Sequence, residues 1–305
     1  MLDKSIIKNL LVPLDGSPLA ESVIPVVSRL AKKINVSITL IHIIEIDAPE
    51  TIHGQRHLTS PSEAEQYLNS IATSDIFKGI KVSTHVHDTS VKNVSQSISD
   101  HSKELNQDLV IMCTHGSGGL HDFLFGSNAQ QVISSGNTPV LMINPSQKGL
   151  NDAAKFENFL IPLDGNPEHE HALNYSSILA KMCKAKIHLL IAIPNFGTMS
   201  GELTPANRLL PGTTSKMLDM IESDAKDYLN QLKDQLGETG LKVSASTSRN
   251  DPAAAIADTA EKVKADLIIL ATHGKKGAEA FWDGSVSPKI SKSSKIPLLL
   301  VPVRE

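Results

Sequence analysis

Short apolar runs alternate with amphipathic stretches along the whole chain. In the first half the runs at residues 9–14, 36–44, 81–86, 109–113 and 140–143 favour Ile, Val and Leu, with little polar alternation. Strands covered by helices on both faces have this composition. Between them, residues 19–33, 63–77, 91–105 and 128–134 repeat apolar positions at helical spacing. Strand and helix in alternation predict right-handed βαβ crossovers and a parallel sheet. The second half repeats the series, with strands predicted at 158–163, 186–193, 242–246, 267–271 and 298–301. Two polar intervals, 45–62 and 194–216, interrupt the rhythm after the second strand of each half. Loops beyond about 12–15 residues are uncommon, so each reads either as a binding lid or as a solvent loop.

The alternation is doubled because the sequence is. Residues 7–17 return at 156–166, with Asp15 and Asp164 standing 149 residues apart. Residues 108–116 return at 266–274, and His115 and His273 are 158 apart. Gly126-Ser127 recurs as Gly284-Ser285 at the same 158-residue offset. A period of this length marks a duplicated domain rather than a solenoid repeat. A polar seam at 146–152 reads as the linker, which predicts domains at 1–147 and 155–305. The expected fold is α/β: two tandem doubly wound domains. Each has a five-stranded parallel sheet of order 3-2-1-4-5 flanked by helices. In that order the strands at 140–143 and 298–301 are apolar edges, which invite pairing.

Composition narrows the function. With 40% hydrophobic and 20% charged residues, the 305-residue chain is an ordinary globular one, which excludes collagen-like, coiled-coil and disordered classes. A net charge of −4 without a basic block gives no electrostatic footprint for nucleic acid, and 4% aromatics provide no stacking platform. No apolar window is long enough to cross a membrane, the first residues lack the order of a signal peptide, and only Cys113 and Cys183 are cysteines. The expectation is a cytoplasmic protein with reduced thiols and no membrane partner.

Doubly wound sheets bind ligands at the carboxyl ends of strands where the strand order reverses. Here that point brings Leu14-Asp15-Gly16-Ser17 beside the loop at 114–119. Gly126-Ser127 precedes the final helix of the half, with Ser127 as a candidate N-cap. Free N–H groups at a helix start suit phosphate, and Gly116 and Gly126 let the backbone approach it. Other motifs fail. The three-glycine dinucleotide fingerprint is incomplete, since His121 stands at the third position, and no P-loop pattern occurs. His85-Val86-His87 puts two imidazoles on one strand face, but this pair does not recur in the second half and has no cysteine at ligand spacing. No metal site is assigned. Cys113, at a strand end, reads as a small hydrophobe rather than a nucleophile.

Asp15 after the first strand, Thr114-His115-Gly116, nine residues, Gly126-Ser127 and then Thr138-Pro139-Val140-Leu141 resemble the universal stress protein family. The pattern recurs in both halves, so the chain looks like a tandem member. The resemblance implies that Asp15 contacts adenosine, that the Ile43 backbone contacts adenine, and that Gly116, Gly126, Ser127 and Asn128 surround phosphates. Pro13 and Ser17 are grouped with Asp15 in the same binding loop. The corresponding second-half residues are Asp164, Ala192, Gly274, Gly284, Ser285 and Val286. The implied ligand is ATP, ADP or AMP, with Mg left open. The resemblance also implies intramolecular pairing of the halves through their last strands about a pseudo-twofold axis, and leaves a homodimer open.

The family's nucleotide-binding branch has a glycine where this chain has Cys113 and Ala271. Asp283 beside Gly284 and Val286 in place of Asn128 make the second site the weaker one. No paired carboxylates or activated nucleophile point to catalysis. The expected function is thus an adenine-nucleotide-binding stress-response regulator without strong catalytic activity. Two alternatives stand beside it: a slow ATPase or phosphotransferase using Asp15 and His115, and a nucleotide-free interaction module.

Overall fold

The computed structural model describes residues 7–46, 51–52, 55–56, 58–113, 129, 131–133, 137–144, 154–165, 171–193, 195, 211–272 and 296–302. The first half runs β1 (Asn9–Pro13), α1 (Pro18–Glu21), α2 (Ile24–Ile34) and β2 (Ser37–Glu45), then a small hairpin of β3 (Thr51–Ile52) and β4 (Gln55–Arg56). It continues through α3 (Pro61–Ala72), β5 (Val82–Val91), α4 (Val94–Glu104), β6 (Leu109–Cys113) and β7 (Val140–Ile143). The second half has β8 (Asn158–Leu163), α5 (His171–Cys183), β9 (Lys186–Ile193), α6 (Pro211–Glu238), β10 (Lys242–Arg249), α7 (Pro252–Lys262), β11 (Leu267–Thr272) and β12 (Leu298–Pro302).

Ten strands form one sheet in the order β10-β9-β8-β11-β12-β7-β6-β1-β2-β5. Within each half the order is the 3-2-1-4-5 expected from the repeat, with parallel neighbours throughout. At the centre β12 pairs antiparallel with β7, Leu299 opposite Leu141. The two apolar edges singled out in the sequence therefore cover each other.

One apolar layer lies on each face of the sheet, and both layers run across the two halves. On one face α2, α3, α5 and α6 bury Leu30, Leu68, Leu179 and Leu229 against Leu10, Phe159 and Leu299. On the other, α4 and α7 bury Ile98 and Ile256 in a layer with Leu11, Leu160 and Leu300. Polar contacts also cross between halves. Arg29 donates to the Ala154 carbonyl (3.0 Å), Lys33 to the Lys155 carbonyl (2.8 Å) and the Tyr175 hydroxyl to the Asp108 carbonyl (3.1 Å).

An aspartate before the fourth strand of each half ties it to the first. Asp108 accepts from the backbone of Lys8 (2.7 Å) and Asn9 (3.0 Å). Asp266 does the same for Glu157 (2.8 Å) and Asn158 (3.0 Å). These residues are visible in the sequence as part of the repeat, but only the fold shows that they are anchors.

Some boundaries differ from expectation. The helix expected at 63–77 stops at Ala72 and resumes as a 3-10 turn at Asp75–Phe77. The reason is local: the Thr73 hydroxyl donates to the Asn69 carbonyl (2.8 Å) and that of Ser74 to Ile71, each alongside the residue's own amide, and the Ser74 amide reaches back only three residues, which tightens and closes the last turn. β5 extends to Val91, and α6 begins at Pro211, inside the interval expected to be a loop to 216. No helix among the described residues is long and apolar enough to cross a membrane.

Candidate functional site

The carboxyl ends of β1 and β6 meet where the strand order reverses, and Asp15 sits between them. Pro13 ends β1 paired with Ile41, and the Leu14 amide donates to the Ile41 carbonyl (2.9 Å), so the chain stays on the sheet until Asp15. Gly16 then turns it with φ +90, a region that side chains rarely adopt. Oδ1 of half-buried Asp15 accepts from the Ser17 amide (2.9 Å) and hydroxyl (2.6 Å). The Ser17 hydroxyl in turn accepts from the Ala20 amide (3.1 Å) and caps α1. Asp15 is thus a turn residue and something more. Among the described residues no hydrogen bond reaches its Oδ2, an acceptor that suits a donor such as an amino group or a sugar hydroxyl.

Two side chains report what surrounds that carboxylate. The thiol of Cys113, at the end of β6, is pushed up to about 12, first by burial and then by the charge of Asp15. The strand ends predicted to be neighbours are neighbours, and burial disfavours the Cys113 thiolate. The Tyr67 hydroxyl of α3 donates to Glu21 (3.0 Å), and burial, Glu21 and Asp15 push its ionisation far above the ordinary range.

The segment after the β3–β4 hairpin roofs the turn. A Cβ on Gly16 would lie 2.9 Å from Leu58 Cγ, so Leu58 lies directly against the glycine. His42, 2% exposed, is packed between the two, with Nδ1 2.7 Å from the Leu14 carbonyl and Nε2 3.1 Å from the Leu58 carbonyl, and as a neutral ring it donates to one of them. One imidazole bridges the end of β1 and the roof. His42 follows Leu40 and Ile41 in an apolar run, and its isolation as a polar residue in a buried strand is the only signal of it in the sequence.

Ile43 lies on β2, buried at 6% exposure and in register with His87. In the second half Asp164 follows β8 as an exposed residue and Gly165 turns with φ +81. Among the described residues nothing lies within 4 Å of where a Cβ on Gly165 would be. Ala192 occupies on β9 the position that Ile43 has on β2. Gly116, Gly126, Ser127, Asn128, Gly274, Gly284, Ser285 and Val286 lie outside the described residues, as do His115 and His273. Among the described residues no three His, Cys, Asp or Glu side chains are arranged to hold a metal ion.

Known proteins share this plan. A universal stress protein of Mycolicibacterium smegmatis is 21% identical over 305 residues, covering 96% of each chain. A universal stress protein of Methanocaldococcus jannaschii is 26% identical over 147 residues, 48% of this chain and 82% of its own length. Among solved structures, a universal stress protein from Archaeoglobus fulgidus superposes with a TM-score of 0.68 at 17% identity, covering 97% of this chain and 98% of that one. A putative universal stress protein from Pseudomonas aeruginosa gives a TM-score of 0.65 at 15% identity, covering 97% and 93%. The universal stress protein family model matches residues 7–144 and again 155–302, the two stretches that supply the two halves of the sheet, and the chain belongs to that family with its domain present twice.

Proposed function

We propose that the N-terminal half binds an adenine nucleotide at the carboxyl ends of β1 and β6, and that the protein is a cytoplasmic stress regulator rather than an efficient enzyme. The observation that carries this reading is Asp15. Its Oδ1 is spent on ordering the turn, which holds the carboxylate still while Oδ2 keeps its acceptor capacity. A half-buried, pre-ordered acceptor at the reversal point of a doubly wound sheet is what recognition of a nucleoside requires. The protein groups supply binding and orientation only. Among the described residues no group of three His, Cys, Asp or Glu side chains is arranged to hold a metal ion, and any magnesium ion would arrive with the phosphates of ATP. Both cysteines are free thiols, as a reducing compartment favours.

The proposed units are 1–147 for the binding domain and 155–305 for its repeat. The exposed Asp164, and a Gly165 with no described side chain against it, favour a weaker role for the second half, as a structural partner or low-affinity site.

Mass spectrometry of ligand released from the purified protein, followed by calorimetry with ATP, ADP and AMP, tests the reading. Asp15→Ala should weaken binding at least tenfold, about 1.4 kcal/mol, and Asp164→Ala should change it little. No adenine-nucleotide binding at millimolar concentration would overturn the proposal. Turnover that collapses in Asp15→Ala while binding persists would point to a phosphotransferase instead.

A further inference from the structure

The two histidines that alternate on β5 acquire a third from α4. The rings of His85 and His101 are 4.9 Å apart between centroids, and those of His87 and His101 are 4.8 Å apart in an edge-on arrangement. His101 is 7% exposed, and its Nδ1 lies 2.8 Å from the Ser97 carbonyl, which makes that nitrogen the donor. Its Nε2 is 4.0 Å from Glu104, a carboxylate 68% exposed. Nε2 of His85 is buried and has no hydrogen-bond partner among the described residues. Opposite the pair, β2 contributes Ile41 in register with His85 and Ile43 in register with His87. The charged groups that act on His85 are His87 and Asp88 of its own strand and His101 and Glu104 of α4.

The second half carries the same frame without the imidazoles. Ser246 on β10 pairs with Leu190 as His85 pairs with Ile41, and Ser248 pairs with Ala192 as His87 pairs with Ile43. His101 and Thr259 are both the eighth residue of their helices, α4 and α7. At matching positions of the edge strand and its helix, one half therefore has three imidazoles and the other three hydroxyls.

We propose that His85, His87 and His101 form a proton sensor that releases α4 from the edge strand β5 at mildly acidic pH, in the N-terminal half alone. An added proton has nowhere good to go in this cluster. On His85 it would leave a buried N–H without an acceptor, and each further proton would face a like charge one ring away. Desolvation, then the charges of His101 and His87, hold the imidazole of His85 below its ordinary value, while Glu104 and Asp88 oppose them. An exposed imidazole takes its proton near pH ~6.5, and His85 in the closed cluster takes it only at lower pH. Below about 6.5 the opened form therefore binds more protons, so opening gains as pH falls, whereas above about 6.5 the closed form is fully favoured. Among the described residues no three metal-ligating groups share a point here, which favours the proton as the species the cluster answers to. His188 in the second half differs in kind. It lies 2.8 Å from each of the Ser244 and Ser246 hydroxyls, which can turn to accept from a charged ring.

Hydrogen exchange of the full chain at pH 7.5 and 5.5, expressed as protection factors, tests the sensor. Protection across residues 94–104 should fall about tenfold at the lower pH, while residues 252–262 change little. The swap His85→Ser with His87→Ser and His101→Thr installs the second-half residues and should remove the pH response. His85→Gln, neutral at every pH, should reduce it without so large a change in packing. Equal protection of 94–104 at both pH values would overturn the proposal, as would an undiminished response in His85→Gln. Equimolar zinc or nickel that raises the melting temperature of the wild type but not of the triple variant would also overturn it, by making the cluster a metal site.

Discussion

The two halves of this protein share their sheet and differ at its edges. In both, an aspartate before the fourth strand binds the backbone that enters the first, and a positive-φ glycine follows the aspartate after that strand. The halves part where ligands and partners would touch them. The first-half turn is roofed by Leu58 and braced by His42, whereas no described side chain lies against Gly165. The helix over β2 reaches the first-half edge strand with a histidine, and the matching helix over β9 has a threonine at that position. Helices α3 and α6 cover the other face of the two edges, and the second half adds ion pairs there. Arg249 of β10 pairs with Asp219 and Glu222 of α6, and hydrogen bonds from Lys226 and Arg249 bring the Glu222 carboxyl down to about 2.

The two copies thus divide their labour by position. Backbone-satisfying residues keep their geometry in both copies because losing either aspartate leaves two N–H groups at the entry to the first strand without their partner. Residues at the carboxyl edge carry no such penalty, so one copy can specialise while the other supplies structure. The antiparallel β7–β12 seam makes that possible, since each half covers the apolar edge strand of the other.

The sharpest way to break the comparison is to attack the seam. Leu299 is fully buried opposite Leu141, inside the layer that also holds Leu10 and Phe159. Leu299→Asp places an unpaired charge there and should cost at least about 3 kcal/mol. Because the apolar layers run through both halves, calorimetry should show one transition moving down as a whole. Two separate transitions, with one left at the wild-type temperature, would mean that the halves are independent domains that merely abut.

A smaller effect separates the two binding turns. Gly16→Ala and Gly165→Ala both force alanine into positive φ, which costs roughly 1 kcal/mol each. Only the first also drives a methyl group into Leu58, adding about 1 kcal/mol more as the leucine is displaced. In a Leu58→Ala background the extra cost of Gly16→Ala should vanish, and urea titrations of the four variants measure that coupling. Equal losses at Gly16 and Gly165 in the wild-type background would show that Leu58 does not roof the turn.

Much of this architecture is legible in the sequence, and the rest is hidden for definable reasons. The strand order, the reversal point and the apolar edges come from the repeat and from periodicity, which report local burial well. The His85–His87 pair is visible as period-two alternation, but His101 belongs to a different period on α4 and meets them only through packing. That helix also conceals its buried face, which is Ser95, Ser97, Ser99 and Ser102 around Ile98 rather than an apolar stripe. The roof shows only as a long polar interval, because a single leucine closing on a glycine leaves no pattern. Hydroxyls at Thr73 and Ser74 end a helix that apolar spacing alone would continue.

The finest distinction between the halves lies in two left-handed positions. Asn35 (φ 54) ends α2, and Lys184 (φ 54) ends α5 at the same place in the repeat. Asn106 (φ 49) and Lys264 (φ 52) likewise stand two residues before the anchoring aspartates. The backbone demands are equal, yet the first half meets them with asparagine and the second with lysine. Asparagine tolerates this region because its short polar side chain bonds locally, whereas lysine brings only its Cβ clash. Lys184→Asn with Lys264→Asn should therefore stabilise by about 0.5–1 kcal/mol together, a rise of about 1–4 °C in melting temperature. The reverse exchange, Asn35→Lys with Asn106→Lys, should lose a similar amount. It leaves intact the bond from the Asn9 side chain to residue 106, because the acceptor there is the backbone carbonyl. Opposite signs for the two exchanges would show that the copies differ here in residue choice and not in geometry. A gain from both, or a loss from both, would mean that the lysines have work at these turns beyond closing a helix.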